Sequence, residues 1–491
     1  MIAEPSGQSR PGRHEPDPKL FNADLAPIQH RDQTWGWFEI FSVWANFSQS
    51  LFAYTVAGTL FLSFGLDGWT VFAAIVVAGF IVMVLINISG RPGIKYGIPY
   101  PVMARSGMGV FGANLPALLR GVVAVFWYGA QTYVASNAVA LLIRSLFGPG
   151  PDWRFLALDT AHWLALVIVS VTQIALFWRG IRTIRRFLNW AAPAVYSVMI
   201  VLLAILWIRS GDNLLRETGS IMRGDHSFPG GAFAAFMAVV GTQIAAYAPV
   251  ILNYCDFSRY VRSERDMRLG NLLGLPLNMA FFSLLVLLTM SGVSAVFGER
   301  LTDPTAIIGH VDNLTLTIVA TLTFFIATVG INVVANFIAP ANDLSNLIPS
   351  KISFRFGGLL AALAAFVVSA LWVSVISEFG VAKFVNTLGA VLAPAYGILV
   401  ADYYVVRRQR LDIDAIFRSD ADGAYYYTKG WNRRALVAFV IPTVFAVLTV
   451  WLPALESLLG FGWLIGAFFA GVIYWLISRD HHAERHDPNE P

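Results

Sequence analysis

Long apolar stretches constrain this chain more than any other feature of its sequence. Residues 70–88, 195–208, 278–297 and 358–376 contain no charged side chain, and a helix needs about 20 mostly apolar residues to cross a bilayer. Hydrophobic residues make up 57% of the chain and charged residues 13%, a composition that excludes a water-soluble globular protein of this size. We therefore predict an integral membrane protein whose apolar surface contacts lipid.

Apolar stretches recur along the whole chain. The predicted spans are approximately 37–63, 69–90, 117–143, 160–178, 188–208, 231–255, 274–297, 313–339, 357–377, 382–405, 435–453 and 460–478. They indicate an all-α polytopic membrane protein with about 12 transmembrane helices. We expect a single transmembrane domain over 35–479, an N-terminal tail over 1–34 and a C-terminal tail over 480–491. The first of these tails lacks the apolar core of a signal peptide.

Positively charged residues gather in every second connection between the spans. The clusters are Arg91, Lys95 and Arg105; Arg179, Arg182, Arg185 and Arg186; Arg259, Arg262, Arg265 and Arg268; Lys351 and Arg355; and the run from Arg407 to Arg434. The intervening loops carry one to three basic residues or none. The positive-inside rule assigns the clusters to the cytoplasm, so we predict that both termini are cytoplasmic and that the protein lies in the inner, or cytoplasmic, membrane.

Polar residues interrupt the first and the sixth predicted spans near their middle. The first has Trp-Ala-Asn-Phe-Ser-Gln-Ser at 44–50, and the sixth has Gly-Thr-Gln at 241–243 followed by Pro249. In transporters built from two inverted repeats, discontinuous helices at equivalent positions expose backbone groups to the substrate. Two interpretations stay open. Either both helices are broken at a binding site, or the polar residues only join helices and Pro249 only kinks one of them.

Three spans carry polar or aromatic residues four positions apart, a spacing that puts both side chains on one helical face. The pairs are Trp127 with Gln131, Gln243 with Tyr247, and Asn332 with Asn336. An aromatic ring offers its face for stacking, and an amide offers a donor and an acceptor to the N–H and C=O groups of a lactam edge. The pairs therefore suit a flat, uncharged heterocycle. For each amide alone, a hydrogen bond between helices is the alternative.

Charged residues near the membrane interior are expected only at the ends of spans. They are Asp256 and Arg259 after the sixth span, Asp343 after the eighth and Asp402 at the end of the tenth. For Asp256 and Arg259 we expect a structural salt bridge or a gate. The spans show no catalytic constellation of the usual kind, so we expect no enzyme activity, no cofactor, no metal centre and no nucleic-acid partner.

Several short segments resemble the nucleobase–cation symport family, which includes permeases for cytosine, purines, uracil, thiamine, allantoin and hydantoins. They are NADLAP at 22–27, KYGIP at 95–99, PVMAR at 101–105, GANLP at 112–116, WYGAQT at 127–132, DFSRY at 256–260, NVVAN at 332–336 and DYYVVRR at 402–408. The resemblance extends over nearly the whole chain. It implies a LeuT-type fold, with a first repeat over 37–208, an inverted second repeat over 231–405 and two further helices over 435–478.

The resemblance also implies roles for individual residues. Trp127 and Gln131 correspond to residues that stack on the substrate and bind its polar edge in that family, and Asn336 corresponds to a third contact. The second stacking position, often Trp in hydantoin and allantoin carriers, is Tyr247 here. We add three neighbouring amides as candidate substrate contacts, namely Gln243, Asn332 and Gln49.

The sodium site of the family corresponds to five positions of this chain. They are Asn46 and Gln49 in the first span, and Ala327, Gly330 and Ile331 in the eighth. In the family, positions equivalent to Gly330 and Ile331 carry hydroxyl groups, and a hard cation needs oxygen ligands. Gly330 and Ile331 have no hydroxyl group, so H+ is the alternative to Na+ as the coupling ion.

These observations predict a permease that imports a nucleobase or a related cyclic amide, such as uracil, cytosine, allantoin or a hydantoin, by alternating access with a cation or proton. Its expected partners are this small molecule and the lipid bilayer, and we expect a monomer. The alternatives are a receptor that senses the same heterocycles on a transporter scaffold, or a channel. No large output domain and no selectivity filter is evident in the sequence to support them.

Overall fold

The computed structural model describes residues 17–63, 66–148, 150–223, 231–309 and 314–483. The helices are α1 Trp37–Ser48, α2 Leu51–Ser63, α3 Gly68–Tyr96, α4 Tyr100–Met108, α5 Asn114–Phe147, α6 Thr160–Trp178, α7 Ile181–Ser210, α8 Asn213–Arg223, α9 Gly231–Asn253, α10 Cys255–Ser258, α11 Glu264–Leu272, α12 Asn278–Phe297, α13 Pro304–Gly309, α14 Leu314–Asn332, α15 Ile338–Leu347, α16 Phe354–Ala370, α17 Val381–Ala390, α18 Ala393–Val400, α19 Ile413–Ile416, α20 Arg433–Trp451 and α21 Gly462–Ala483. Strands β1 Arg154–Phe155 and β2 Leu158–Asp159 form a short antiparallel hairpin before α6.

Short π-helices and 3₁₀-helices connect or flank several of these α-helices. Turns of π-helix occur at Leu273–Leu277, Val333–Phe337, Trp372–Ile376 and Ala401–Val406, and 3₁₀-helices occur at His30–Asp32, Ser377–Phe379 and Pro453–Phe461. In a π-turn the hydrogen bonds run from residue i to i+5, which leaves a carbonyl free for another partner. The turn at Val333–Phe337 joins α14 to α15 in this way and contains Asn336.

Within the described residues, nine helices are long and apolar enough to cross a membrane, or ten if the bent pair Phe354–Ala370 and Trp372–Phe379 forms one span. The predicted number of twelve is therefore not fully confirmed. The two predicted spans that fall short are 37–63, which is divided into two helices, and 117–143, which lies within α5. Helix α5 has 34 residues and is long enough to cross a membrane. It is not counted as a span because its polar residues lower its hydropathy.

The first predicted span is broken, as one of the two interpretations expected. Helix α1 ends at Ser48, and α2 begins at Leu51. The Leu51 N–H donates to the hydroxyl of Thr328 in α14 at 3.2 Å, and the Ala53 N–H donates to the hydroxyl of Ser50 at 3.1 Å. Side-chain oxygens thus bind the amides that a continuous helix would pair internally.

The sixth predicted span is not broken at the Gly-Thr-Gln triplet, so the interpretation that both spans are broken is wrong and the alternative applies to this span. Helix α9 continues through the Gly-Thr-Gln triplet and past Pro249. Gly241 packs so closely on Gly460 that a Cβ on either residue would overlap the facing backbone. The hydroxyl of Thr242 accepts a hydrogen bond of 3.0 Å from Asn386 Nδ2 in α17. The polar triplet therefore joins α9 to its neighbours.

Three of the connections that carry basic clusters, those near Lys95, Arg259 and Gln409, meet at one end of the bundle, which we call the basic side. Lys95 Nζ donates to the Gln409 carbonyl at 2.7 Å, and Gln33 Nε2 donates to the carbonyls of Ile94 and Arg259 at 2.9 and 3.2 Å. The chain before α1 is bound to this side as well, because the Trp35 N–H donates to the Tyr260 carbonyl at 2.9 Å.

Large apolar side chains remain exposed on the outer faces of several helices. On α3 they include Phe80 and Val84, and on α20 they include Val440, Ile441 and Val444. Apolar faces of this extent are unfavourable in water and match the hydrocarbon core of a bilayer. These faces of α3 and α20 therefore correspond to the predicted lipid contact.

Candidate functional site

A cavity lies beside the break in the first span. Its volume is about 40 Å³, smaller than that of small-molecule sites, so a ligand can enter only if the lining side chains move apart. It is lined by Phe47, Ser48, Ser50, Phe52, Ala53, Val56, Ala57, Ile75, Trp127, Gln131, Gln243, Ala246, Tyr247, Met279, Phe282 and Ser283. Two of the three predicted pairs, Trp127 with Gln131 and Gln243 with Tyr247, therefore share one cavity.

Trp127 forms an aromatic wall of the cavity. Its ring centroid lies 5.1 Å from that of Phe52 and 5.7 Å from that of Phe384, and both contacts are edge-on. The indole Nε1 is buried and has no hydrogen-bond partner among the described residues. Edge contacts fix the ring plane and leave its donor available to a ligand.

A second aromatic wall is formed by Tyr247 on α9. Phe47 packs on its ring at a centroid distance of 4.5 Å and an interplanar angle of 32°. The hydroxyl of Tyr247 lies 3.3 Å from the hydroxyl of Ser48 at the end of α1. The tyrosine hydroxyl, which a tryptophan would lack, thus contacts the broken span.

Two amides line the cavity together with the serines Ser48, Ser50 and Ser283. Gln131 is 3% exposed and Gln243 is 8% exposed. Gln131 Oε1 has no hydrogen-bond partner in the part of the chain that the structure describes. A buried acceptor without a partner is costly, so a ligand N–H placed against Gln131 would satisfy it. The cavity combines two aromatic walls with a few polar atoms.

The third predicted pair does not line this cavity. Asn332 Nδ2 donates to the Tyr128 carbonyl and to the Thr132 hydroxyl, both at 3.1 Å. Asn336 Nδ2 donates to Asn332 Oδ1 at 3.0 Å. Asn332 therefore joins α14 to α5, as the alternative for each amide expected. The proposed contact of Asn332 and Asn336 with the substrate stays a prediction.

Residues of the predicted cation site lie near the break without forming a complete set of oxygen ligands. Asn46 and Gln49 are fully buried at the end of α1. Ala327, Gly330 and Ile331 are buried in α14. Neither Gly330 nor Ile331 has a side-chain oxygen, so this set does not fit the hydroxyl ligands expected of the sodium site.

Helix α14 does supply one hydroxyl at the break, but it belongs to Thr328 and not to the predicted positions 330 and 331. It accepts the Leu51 N–H at 3.2 Å and is fully buried. Gln49 is also buried beside the break and is not part of the cavity lining. Its role as a substrate contact stays a prediction.

Helix α12 contributes cavity residues that the sequence analysis did not identify. They are Met279, Phe282 and Ser283. Phe52 and Phe384, which contact Trp127, were also missed. Ser283 was the only signal available, because it is a polar residue within an apolar span. The aromatic and methionine side chains were indistinguishable from residues of the apolar core.

Two of the charged residues at span ends, Asp402 and Arg259, have structural hydrogen-bond partners. Asp402 accepts hydrogen bonds from Ser106, Arg407 and Tyr474 at 2.7, 2.9 and 2.8 Å. Arg259 donates to the Asp24 carbonyl at 3.2 Å and to the Tyr260 hydroxyl at 3.0 Å. Arg259 thus joins the N-terminal segment to the bundle.

Known proteins share both the sequence and the fold of this chain. The allantoin permease of Bacillus subtilis is 31% identical over 469 residues, which cover 94% of this chain and 94% of the relative. The purine-uracil permease NCS1 of Arabidopsis thaliana is 30% identical, over 94% of this chain and 78% of the relative.

A solved structure of Mhp1, a nucleobase-cation-symport-1 family transporter in a closed conformation with bromovinylhydantoin bound, has a TM-score of 0.76 at 22% identity and covers 96% of this chain and 98% of Mhp1. This likeness confirms the LeuT-like, all-α fold class. The model of a family described as permeases for cytosine/purines, uracil, thiamine and allantoin matches residues 27–476. That match covers most of the sequence, and the chain therefore belongs to this permease family.

Proposed function

We propose that this permease imports a nucleobase or a related cyclic amide, such as uracil, cytosine, allantoin or a hydantoin, by secondary active transport. The observation that carries the proposal is the cavity at the break in the first span, where Trp127 and Tyr247 accompany Gln131 and Gln243. Relatives named as allantoin and purine-uracil permeases support the substrate class.

Each side chain of the cavity has a role that follows from its chemistry. Trp127 and Tyr247 offer ring faces to a flat heterocycle, which makes offset stacking available without charge. Gln131 and Gln243 offer both a donor and an acceptor, which match the N–H and C=O groups of a lactam. No charged residue lines the cavity among the residues that the structure describes, which favours a neutral ligand.

Access to this cavity requires the bundle to move. Phe52, Trp127 and Phe384 pack together on one side of the cavity, with centroid distances of 5.1 to 6.4 Å. Alternating access would separate these rings on one side while the other side stays closed. The break between α1 and α2 allows the two halves of the first span to move separately.

We place the basic side in the cytoplasm, because clustered Lys and Arg residues favour that side, and both termini then lie inside. The membrane would be the cytoplasmic membrane. We propose a monomer as the transporting unit and either Na+ or H+ as the driving ion.

Uptake by purified protein in liposomes tests the function. Labelled uracil, cytosine, allantoin and a hydantoin would be offered under a sodium gradient or a proton gradient imposed separately. We expect saturable accumulation of at least one compound and exchange with unlabelled compound inside. Empty liposomes measure leakage.

Failure of all four compounds, with the protein shown to be folded and inserted, rejects the substrate class. Binding without accumulation would instead indicate a receptor on a transporter scaffold. Flux that does not saturate would indicate a channel.

A further inference from the structure

A group of charged side chains is buried between α5, α10 and α15, apart from the cavity. Arg120 of α5 is 0% exposed, Asp343 of α15 is 1% exposed and Asp256 of α10 is 2% exposed. Arg120 Nη1 lies 3.7 Å from Asp343 Oδ2. Ionisable groups are expensive inside a membrane protein and mark ion pathways and proton relays. The sequence analysis placed Asp256 and Asp343 at span ends and did not single out Arg120.

The two carboxylates are satisfied to very different degrees. Asp256 accepts hydrogen bonds from the Tyr100 N–H and from Asn253 Nδ2, both at 2.8 Å. Neither oxygen of Asp343 has a hydrogen-bond partner in the described part of the chain. The 3.7 Å separation from Arg120 exceeds hydrogen-bond length. A buried carboxylate in this position is costly when charged, and a bound proton removes that cost.

The surroundings of Asp343 contain few other charges. Arg120 and Asp256 act on it electrostatically, and Tyr100 lies in the same group. Asp256 is in turn influenced by Arg120 and Arg259. The single guanidinium of Arg120 thus serves two carboxylates, of which Asp256 has the better set of hydrogen bonds. Asp343 is the member of the group that can lose its charge with the least loss of contacts.

Arg120 also connects this group to the π-turn that joins α14 to α15. Its Nη2 donates to the Ala335 carbonyl at 3.3 Å, within the π-turn Val333–Phe337. From that turn Asn336 donates to Asn332, which binds the carbonyl of Tyr128 next to Trp127. A change in the Arg120–Asp343 contact can therefore act on the turn and on α5.

We propose that Asp343 is the proton-binding site that couples transport to a proton gradient, with Arg120 as its positioning residue. This inference rests on the proposed transport function. While the substrate site is open to the outside, a hydronium ion from the outer solution transfers one proton to a carboxylate oxygen of Asp343 and leaves as water. Neutral Asp343 no longer attracts Arg120, so α15 can separate from α5 and the basic side can open. Water that enters there accepts the proton, and the Arg120 pair forms again as the basic side closes.

Two transport assays separate this inference from the function itself. The variant Asp343→Asn keeps the shape of the side chain and cannot exchange a proton. We expect its counterflow of substrate at equal pH on both sides to stay close to the wild-type rate. Its accumulation under an inward proton gradient should fall by about tenfold or more, the scale of a typical coupling between two sites.

The matched control is Asp266→Asn, because Asp266 is a carboxylate paired with Arg262 on the basic side, outside the group of Arg120, Asp256 and Asp343. It should leave both assays unchanged. If Asp343→Asn fails to fold, Asp343→Glu provides a second test, since it keeps a carboxyl group and should accumulate substrate with a shifted pH dependence. A pH-sensitive dye inside the liposomes should also record proton entry with substrate in the wild type.

Three results would overturn the inference. Asp343→Asn could accumulate substrate under the proton gradient as well as the wild type, Asp343→Glu could show an unchanged pH dependence, or the wild type could accumulate substrate with no proton entry under a sodium gradient alone. Absence of counterflow in the wild type would instead reject the proposed transport function.

Discussion

Trp127 is the residue whose replacement best separates binding from folding. Its ring lines the cavity, and stacking of a base on an aromatic ring contributes about 1–3 kcal/mol. We expect Trp127→Ala to weaken substrate binding by about 5- to 150-fold. Binding of labelled substrate to purified protein, with the amount of folded protein measured by gel filtration, provides the check.

The control for Trp127→Ala is Trp463→Ala. Trp463 is 4% exposed, like Trp127, and packs on Tyr396 at 5.3 Å on a different part of the molecule. Both variants lose a buried indole, so both should lose stability. If the two variants bind substrate equally well, Trp127 belongs to the packing of the bundle and not to the site.

Sequence reasoning identified the cavity residues for which chemistry and helical spacing agree. Trp127, Gln131, Gln243 and Tyr247 combine an unusual polar or aromatic side chain with a shared helical face, and all four line the cavity. Asn332 has the same pattern, but its amide is occupied by a neighbouring helix. Spacing within one helix cannot show which helix lies opposite.

The buried group of Arg120, Asp256 and Asp343 shows that sequence reasoning has the same limit for charged residues. Arg120, Asp256 and Asp343 lie on three elements that are far apart in the sequence. Each residue alone is close to the end of a predicted span, where a charged side chain is ordinary. Only the packing of α15 on α5 brings Asp343 to Arg120 and removes both from water.

At the level of helices, the break in the first span depends on one contact from α14. The Thr328 hydroxyl accepts the Leu51 N–H at the start of α2. We expect Thr328→Val, which preserves the shape of the side chain, to leave that buried N–H without a partner and to cost about 1–3 kcal/mol of stability. A lower midpoint of thermal denaturation in detergent would record the loss.

Thr321 on the same helix provides the control for Thr328. It is 1% exposed, and its hydroxyl has no hydrogen-bond partner among the described residues. Thr321→Val should therefore leave the midpoint unchanged or raise it slightly. Equal effects of the two substitutions would contradict a specific role of Thr328 at the break.

The first and sixth spans show why a polar interruption does not by itself predict a broken helix. Both carry polar residues near the middle. In the first, hydroxyls of Ser50 and Thr328 bind the free amides. In the sixth, Thr242 binds Asn386 and Gly241 admits the close approach of Gly460, so the α9 backbone keeps its own hydrogen bonds. The deciding partners come from other helices.

For the whole molecule, hydropathy was sufficient to predict the class of protein. Membership of a permease family confirms that the chain is a multi-pass membrane transporter and not an enzyme. The number of spans was less certain, because α1, α2 and α5 are short or polar where they border the cavity. Both predicted spans that fall short of a simple apolar pattern, 37–63 and 117–143, contribute to the cavity, since a binding site needs polar groups that are unfavourable in lipid.

The orientation of the bundle is open to a direct test by chemical labelling. The one native cysteine, Cys255, is fully buried, and its thiol donates to the Ser89 carbonyl at 3.1 Å, so the unsubstituted chain should not react and serves as the control. Asp152 is exposed before α6, and Asp420 is exposed on the basic side.

The positive-inside rule places the basic side in the cytoplasm. We therefore expect a membrane-impermeant maleimide to label Asp152→Cys in intact cells and to label Asp420→Cys only after the cells are permeabilised. The reverse pattern would invert the molecule, so that substrate would enter from the basic side and the protonation of Asp343 would drive export.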